Sequence, residues 1–136
     1  MLFGLMVYYR HVPSPSGLLM IPLLLIIAFM LSVGGGLFLA SVNVKYRDVK
    51  YALPFFMQIL LFLTPVIYPA SIAGKFSWLL AVNPMTGVIQ TARAALLGTT
   101  PINWHLIFLS FLASLLALVV GVVYFKKVEN YFADIL

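Results

Sequence analysis

Apolar residues run almost unbroken through three stretches of the chain, and polar residues gather between them. Leu18–Ala40, "LLMIPLLLIIAFMLSVGGGLFLA", carries no charge. Trp104–Phe125 is a second such stretch, and Ala52–Tyr68 a third and shorter one. A membrane-crossing helix needs about 20 predominantly apolar residues. The pattern therefore predicts spans over 18–40, 52–68 and 104–125. The opening "MLFGLMVYYR" is too short to cross and reads as the end of a preceding helix. "RHVPSPSG" after it breaks the helix and makes a loop. The fold class is all-α membrane protein, with three full transmembrane helices plus the end of a preceding one.

Residues 69–103 are too punctuated for a span and too apolar for an ordinary loop. Asn83-Pro84 has the pattern of an N-cap followed by proline at the first helical position. Gly98 is placed to stop the same helix. The helix between them would be about 20 Å long, too short for a core of about 30 Å. Two readings fit. Short re-entrant helices dip into the membrane between the last two spans and return to the same side. Alternatively, the helices lie flat in the interface.

Small residues recur every fourth position on the first span (Ser32, Gly36, Ala40) and on the last (Ala113, Ala117, Gly121). That spacing lets another helix approach closely. Along the tail 126–136, "KKVENYFADIL", Val128, Phe132, Ile135 and Leu136 share one helical face with the preceding Phe125, and Lys127, Asn130 and Asp134 lie opposite. It reads as an amphipathic helix on the membrane surface.

Composition agrees with the pattern. Of 136 residues, 64% are hydrophobic and 8% charged, against about 25% charged in soluble domains. The net charge of +5 does not mark a nucleic-acid surface, because the basic residues sit at span ends. Their distribution sets orientation instead. Lys45, Arg47, Lys50, Lys126 and Lys127 cluster on one side, the expected cytoplasmic side, with Arg10, Lys75 and Arg93 spread over the other. With no cysteine, disulfides and thiolate metal sites are excluded.

Enzyme motifs are missing. Gly74-Lys75 is followed by Phe76, and Pro69 stands where a P-loop requires its first glycine. His11 and His105 have no neighbours at metal-ligand spacing. The three acidic residues are too few and too dispersed for paired-carboxylate catalysis.

Candidate chemistry reduces to four features. The turn "NVKYRDVKY" holds four of the charged residues, among them Arg47 and Asp48. Its lysines are explained by orientation alone. Asp48 goes further, since it complements the dipole at the start of the next helix and offers an arginine a charge-assisted bond. The turn thus either anchors or contacts a partner. On the second span Tyr51, Phe55, Gln58, Phe62 and Pro65 fall on one face. A polar amide in mid-span points to protein or water rather than lipid. The face either packs against another helix or lines a path on which sugars stack. Arg93 is a dipole partner or snorkelling anchor, or a phosphate contact near an outer mouth. Glu129 pairs locally with Lys126, or with Arg47 across the surface.

"NVKYRDVKYALPFFMQILLFLTPVIYP", "NPMTGVIQTARAALLG" and "GVVYFKKVENYFADIL" occur in this order. Together they resemble type-2 ABC transporter permeases of the subgroup exporting O-antigen, capsule or teichoic-acid chains. The resemblance covers residue 18 to the end and corresponds to the C-terminal half of such a permease. It implies a bacterial inner-membrane, multi-pass protein that works as a permease homodimer in contact with membrane lipids. A separate ABC ATP-binding subunit would carry ATP and magnesium, so this chain would hold no cofactor and be no enzyme. The substrate would be a lipid-linked polysaccharide or polyol phosphate, and a missing N-terminal half is a further expected partner. A truncated gene, a misassigned start or a split subunit would each produce such a chain. The resemblance also implies roles for the residues above. Tyr51, Phe55, Gln58 and Phe62 would border the translocation path. Pro65, Tyr68, Pro69, Asn83, Pro84 and Arg93 would shape the outer re-entrant region. Arg47, Asp48, Glu129 and Asp134 would form the cytoplasmic turn and tail. A different class also fits the composition: a small membrane protein that assembles or regulates a larger complex without a path.

Overall fold

The computed structural model of the chain describes residues 15–46, 48–64, 83–97 and 101–133. Four helices follow in order: α1 (Pro15–Lys45), α2 (Val49–Leu63), α3 (Pro84–Leu97) and α4 (Trp104–Ala133). Among the described residues there is no strand. Two helices, Gly17–Lys45 and Trp104–Glu129, are long and apolar enough to cross a membrane.

α1 begins earlier and ends later than the uncharged stretch predicts. It runs for 31 residues, about 46 Å. Asn43, Val44 and Lys45 remain helical, so the polar turn shrinks to Tyr46–Asp48. Pro22 lies two turns inside α1. Its ring removes the bond that a residue 22 N–H would give to Leu18.

α2 has 15 residues and a length of about 22 Å, shorter than the stretch 52–68. Its end has a local cause. Thr64 precedes Pro65, whose ring disfavours the helical region for its neighbour. Thr64 is accordingly extended, at φ −98° and ψ 124°.

α3 has the boundaries that Asn83-Pro84 and Gly98 predict. α4 continues without a break from the apolar stretch through Lys126 and Lys127 to Ala133. The last span and the expected tail helix are therefore one helix through that residue. No glycine or proline lies between Val122 and Ala133 to interrupt it.

α1 and α4 pack side by side and run parallel. The contacts advance together along both helices. Leu23 and Ile27 meet Trp104, Ile107 and Phe108 around an apolar groove of about 300 Å³. Gly34 lies against Ala117, Leu118 and Gly121. Phe38 stacks on Tyr124 with ring centroids 5.3 Å apart. This seam places exposed Lys45, Lys126 and Lys127 at one end of the unit.

The seam with α4 uses a different face of α1 from Ser32, Gly36 and Ala40. Ser32, Gly36 and Ala40 are exposed, and a Cβ on Gly36 would meet nothing within 4 Å. The buried positions of α1 are Gly17, Leu24, Ile27, Gly34 and Ser41. On α4 the expected face is used at Ala117 and Gly121, both against Gly34. α3 completes the core at the other end, where Val88 joins Leu24, Ile27 and Ile107. α2 touches α1 only slightly and has no buried residue.

Candidate functional site

The α2 helix presents its aromatic residues outward. Tyr51, Phe55 and Phe62 are 73%, 69% and 63% exposed, and Gln58 is exposed on the same face. None is covered by the α1–α3–α4 unit. So many large apolar groups facing water would be unusual. The face is suited to lipid, protein or a lined cavity. Lys50 Nζ lies 4.9 Å from the Tyr51 ring centroid, a spacing that suits a cation–π contact.

The start of α2 is the Tyr46–Asp48 turn. Val49 N–H donates to the Tyr46 carbonyl at 3.1 Å, and Tyr51 N–H to the Asp48 carbonyl at 3.1 Å. Asp48 occupies the N-cap position but makes no side-chain capping bond. Its expected contribution to the helix start is thus its charge near the dipole, not a hydrogen bond. Asp48 is exposed. Arg47 lies outside the described residues.

The far end of α2 is joined to α3 by side chains. Asn83 Nδ2 donates to Thr64 Oγ1 at 2.8 Å. Thr64 Oγ1 in turn donates to the Leu60 carbonyl at 2.8 Å. The Asn83 Oδ1 accepts from Met85 N–H at 3.0 Å, so the same side chain caps α3 as expected. Pro84 follows at the first helical position, where its missing N–H costs little. Arg93 is half-buried in the second half of α3. Glu129 is exposed on α4, one turn after Lys126. Pro65, Tyr68, Pro69 and Asp134 lie outside the described residues. The structure thus brings Asn83 to the end of α2, while Asp48 sits at the helix's opposite end.

Sequence reasoning missed the polar seam beneath α3. Thr86, Thr91, Ser110 and Ser114 are all buried. Gly87 lies directly against Ser110 and the Leu106 carbonyl. The available signal was the recurrence of Ser110 and Ser114 in an otherwise apolar span. Thr86 Oγ1 and Ser114 Oγ have no hydrogen-bond partner. A buried hydroxyl without a partner costs stability. Thr86→Val, which keeps the shape, is expected to stabilise the chain by about 1 kcal/mol in a denaturant titration from mixed micelles. A loss of stability would show that the hydroxyl is satisfied. Among the described residues, no group of His, Asp or Glu could hold a metal ion.

The sequence profile of the ABC-2 type transporter family matches residues 1–97. Two curated relatives are similar over most of the chain. Both are O-antigen export system permease proteins RfbA of Klebsiella pneumoniae. One is 28% identical over 129 residues, covering 94% of this chain and 49% of the relative. The other is 26% identical with the same coverage. The chain spans about half the length of the curated relatives it matches. No solved structure matches it. With its profile match covering more than half of the sequence, the chain belongs to the ABC-2 type transporter family.

Proposed function

We propose that the chain is a transmembrane permease subunit of an ATP-driven exporter. It moves a lipid-linked polysaccharide or polyol phosphate outward across the bacterial cytoplasmic membrane. The observation that carries this reading is the exposed aromatic face of α2. An apolar helix of a transporter-family chain presents Tyr51, Phe55, Gln58 and Phe62 away from the packed core. Aromatic rings offer sugars a stacking surface, and one amide offers hydrogen bonds without charge. Likeness to O-antigen export permeases over 94% of the chain supports the substrate class.

In this reading the end bearing Lys45, Lys126 and Lys127 faces the cytoplasm. Parallel α1 and α4 then both cross inward, and the chain between them returns outward, with α2 as the first part of that return. The α3 helix is the re-entrant element near the outer face, with Arg93 toward the mouth. Asp48 and the neighbouring turn face the ATP-binding subunit, which carries ATP and magnesium. A second permease copy faces the first across the path.

Co-expression with an ATP-binding subunit, and with a segment corresponding to the rest of the relatives' length, tests the reading. A complex that survives detergent purification and restores surface polysaccharide is expected. If no complex forms with both supplied, the chain is instead an assembly or regulatory protein. In the working complex, Gln58→Leu is expected to lower export about tenfold, the effect of one lost hydrogen bond to substrate. Unchanged export would return the α2 face to helix packing.

A further inference from the structure

The α2 helix is held differently from the other three. It has no buried residue, so packing along its length does little to fix its direction. Its start is tied by the short Tyr46–Asp48 turn. Its other end is tied by the bond from Asn83 to Thr64. Thr64 precedes a proline, which disfavours the helical region, and its backbone is extended. Its hydroxyl instead takes a second role, accepting from Asn83 while donating to the Leu60 carbonyl. Asn83 is likewise used on both sides, holding α3 through Oδ1 and α2 through Nδ2. The α3 helix is fixed in the core by Met85 and Val88 against Leu24 and Ile27. Among the described residues, the Asn83–Thr64 pair therefore links the far end of this helix of about 22 Å to the core.

We propose that Asn83 and Thr64 are positioning residues. They form a latch that sets the direction of α2, and with it the aspect of the Tyr51–Phe62 face, relative to the α1–α3–α4 unit. Inside a membrane few waters compete for such a bond, and each partner released would be left unsatisfied. The latch therefore has two discrete states, made and broken, rather than a gradual loosening. The link from latch to transport rests on the proposed role of the α2 face.

The chain has no cysteine, so spin labels can be placed at will. One pair goes at Met57 on α2 and Val119 on α4, both exposed. A control pair goes at Leu25 on α1 and Val119. Double electron–electron resonance on the full chain in nanodiscs reads the α2 distance. The unsubstituted chain is expected to show one narrow distance. Thr64→Val keeps the shape and removes the hydroxyl. Asn83→Ser keeps a helix cap but cannot reach Thr64. Each is expected to raise the share of a second, displaced distance about fivefold. The double variant should raise it no further, because both changes break one bond. Thr64→Ser should restore the narrow distance, and the control pair should not change. An unaltered distribution in Thr64→Val overturns the latch, whatever Asn83→Ser does to folding. Export is measured on the same variants in the reconstituted complex. Loss of export in Thr64→Val with rescue by Thr64→Ser ties the latch to transport. Full export beside a displaced α2 overturns that tie and leaves the latch standing.

Discussion

Gly34→Leu is expected to abolish cooperative unfolding of the chain, because α1 and α4 no longer close on each other. A Cβ at position 34 would lie 2.5 Å from the Ala117 carbonyl carbon and from the Leu118 Cα and N. These are backbone atoms, so no rotamer change relieves the clash and the two helix axes must separate. Separation also removes the reciprocal contact of Gly121 with Gly34 and the Phe38–Tyr124 ring pair. One methyl group, in Gly34→Ala, is expected to cost about 2 kcal/mol. The leucine side chain adds bulk that the seam cannot hold. Detergent denaturation followed by circular dichroism and tryptophan fluorescence measures both. Gly36→Leu is the control, with a change within about 0.5 kcal/mol, since position 36 faces open space. Equal damage from both substitutions would mean that α1 turns a different face to α4.

Gly87→Val is expected to release α3 while leaving the α1–α4 seam intact. A Cβ there would meet Ser110 Oγ and lie 2.7 Å from the Leu106 carbonyl oxygen. The serine hydroxyl can rotate away, but the carbonyl is part of α4 and cannot. Overpacking of this kind costs about 3 kcal/mol at the upper end of its usual range. Hydrogen exchange read by mass spectrometry in nanodiscs separates the regions. Peptides covering 84–97 should lose protection about a hundredfold, and those covering Gly34 and Gly121 should keep theirs. Uniform loss over all helices would show that the three unfold as one unit. Because α3 carries Asn83, the released form should also lose the tie to α2, and export with it.

The α3 helix was fully legible in the sequence. Asn83-Pro84 and Gly98 act through local backbone chemistry that no distant contact overrides. The end of α2 was legible in principle for the same kind of reason, since Thr64 precedes Pro65. The apolar run past it drew the expected boundary to Tyr68. The contact face of α1 was not legible. The helix is apolar all round, so hydrophobic periodicity carries no phase. Three adjacent glycines then leave three candidate faces 100° apart, and only packing against α4 selects Gly34. The pairing of Thr64 with Asn83 joins residues far apart in the chain, and neither side chain announces the other. The aromatic stripe on α2 was legible as a stripe; its lack of cover by the other helices was not.

The parallel seam between α1 and α4 has a consequence for biosynthesis. Its two halves are separated by residues 46–103, so the ribosome delivers α4 well after α1. In the interval α1 stands in the bilayer without the helix that Gly34 is shaped to receive, and α3 lacks the surface that seats Gly87. The seam therefore closes only once α4 has been made, rather than growing span by span. A chain arrested before Trp104 would carry every element of the α2 face and yet have no scaffold to hold it. Membrane quality control can use the same difference, because an unfinished chain exposes small-residue notches that a finished one hides.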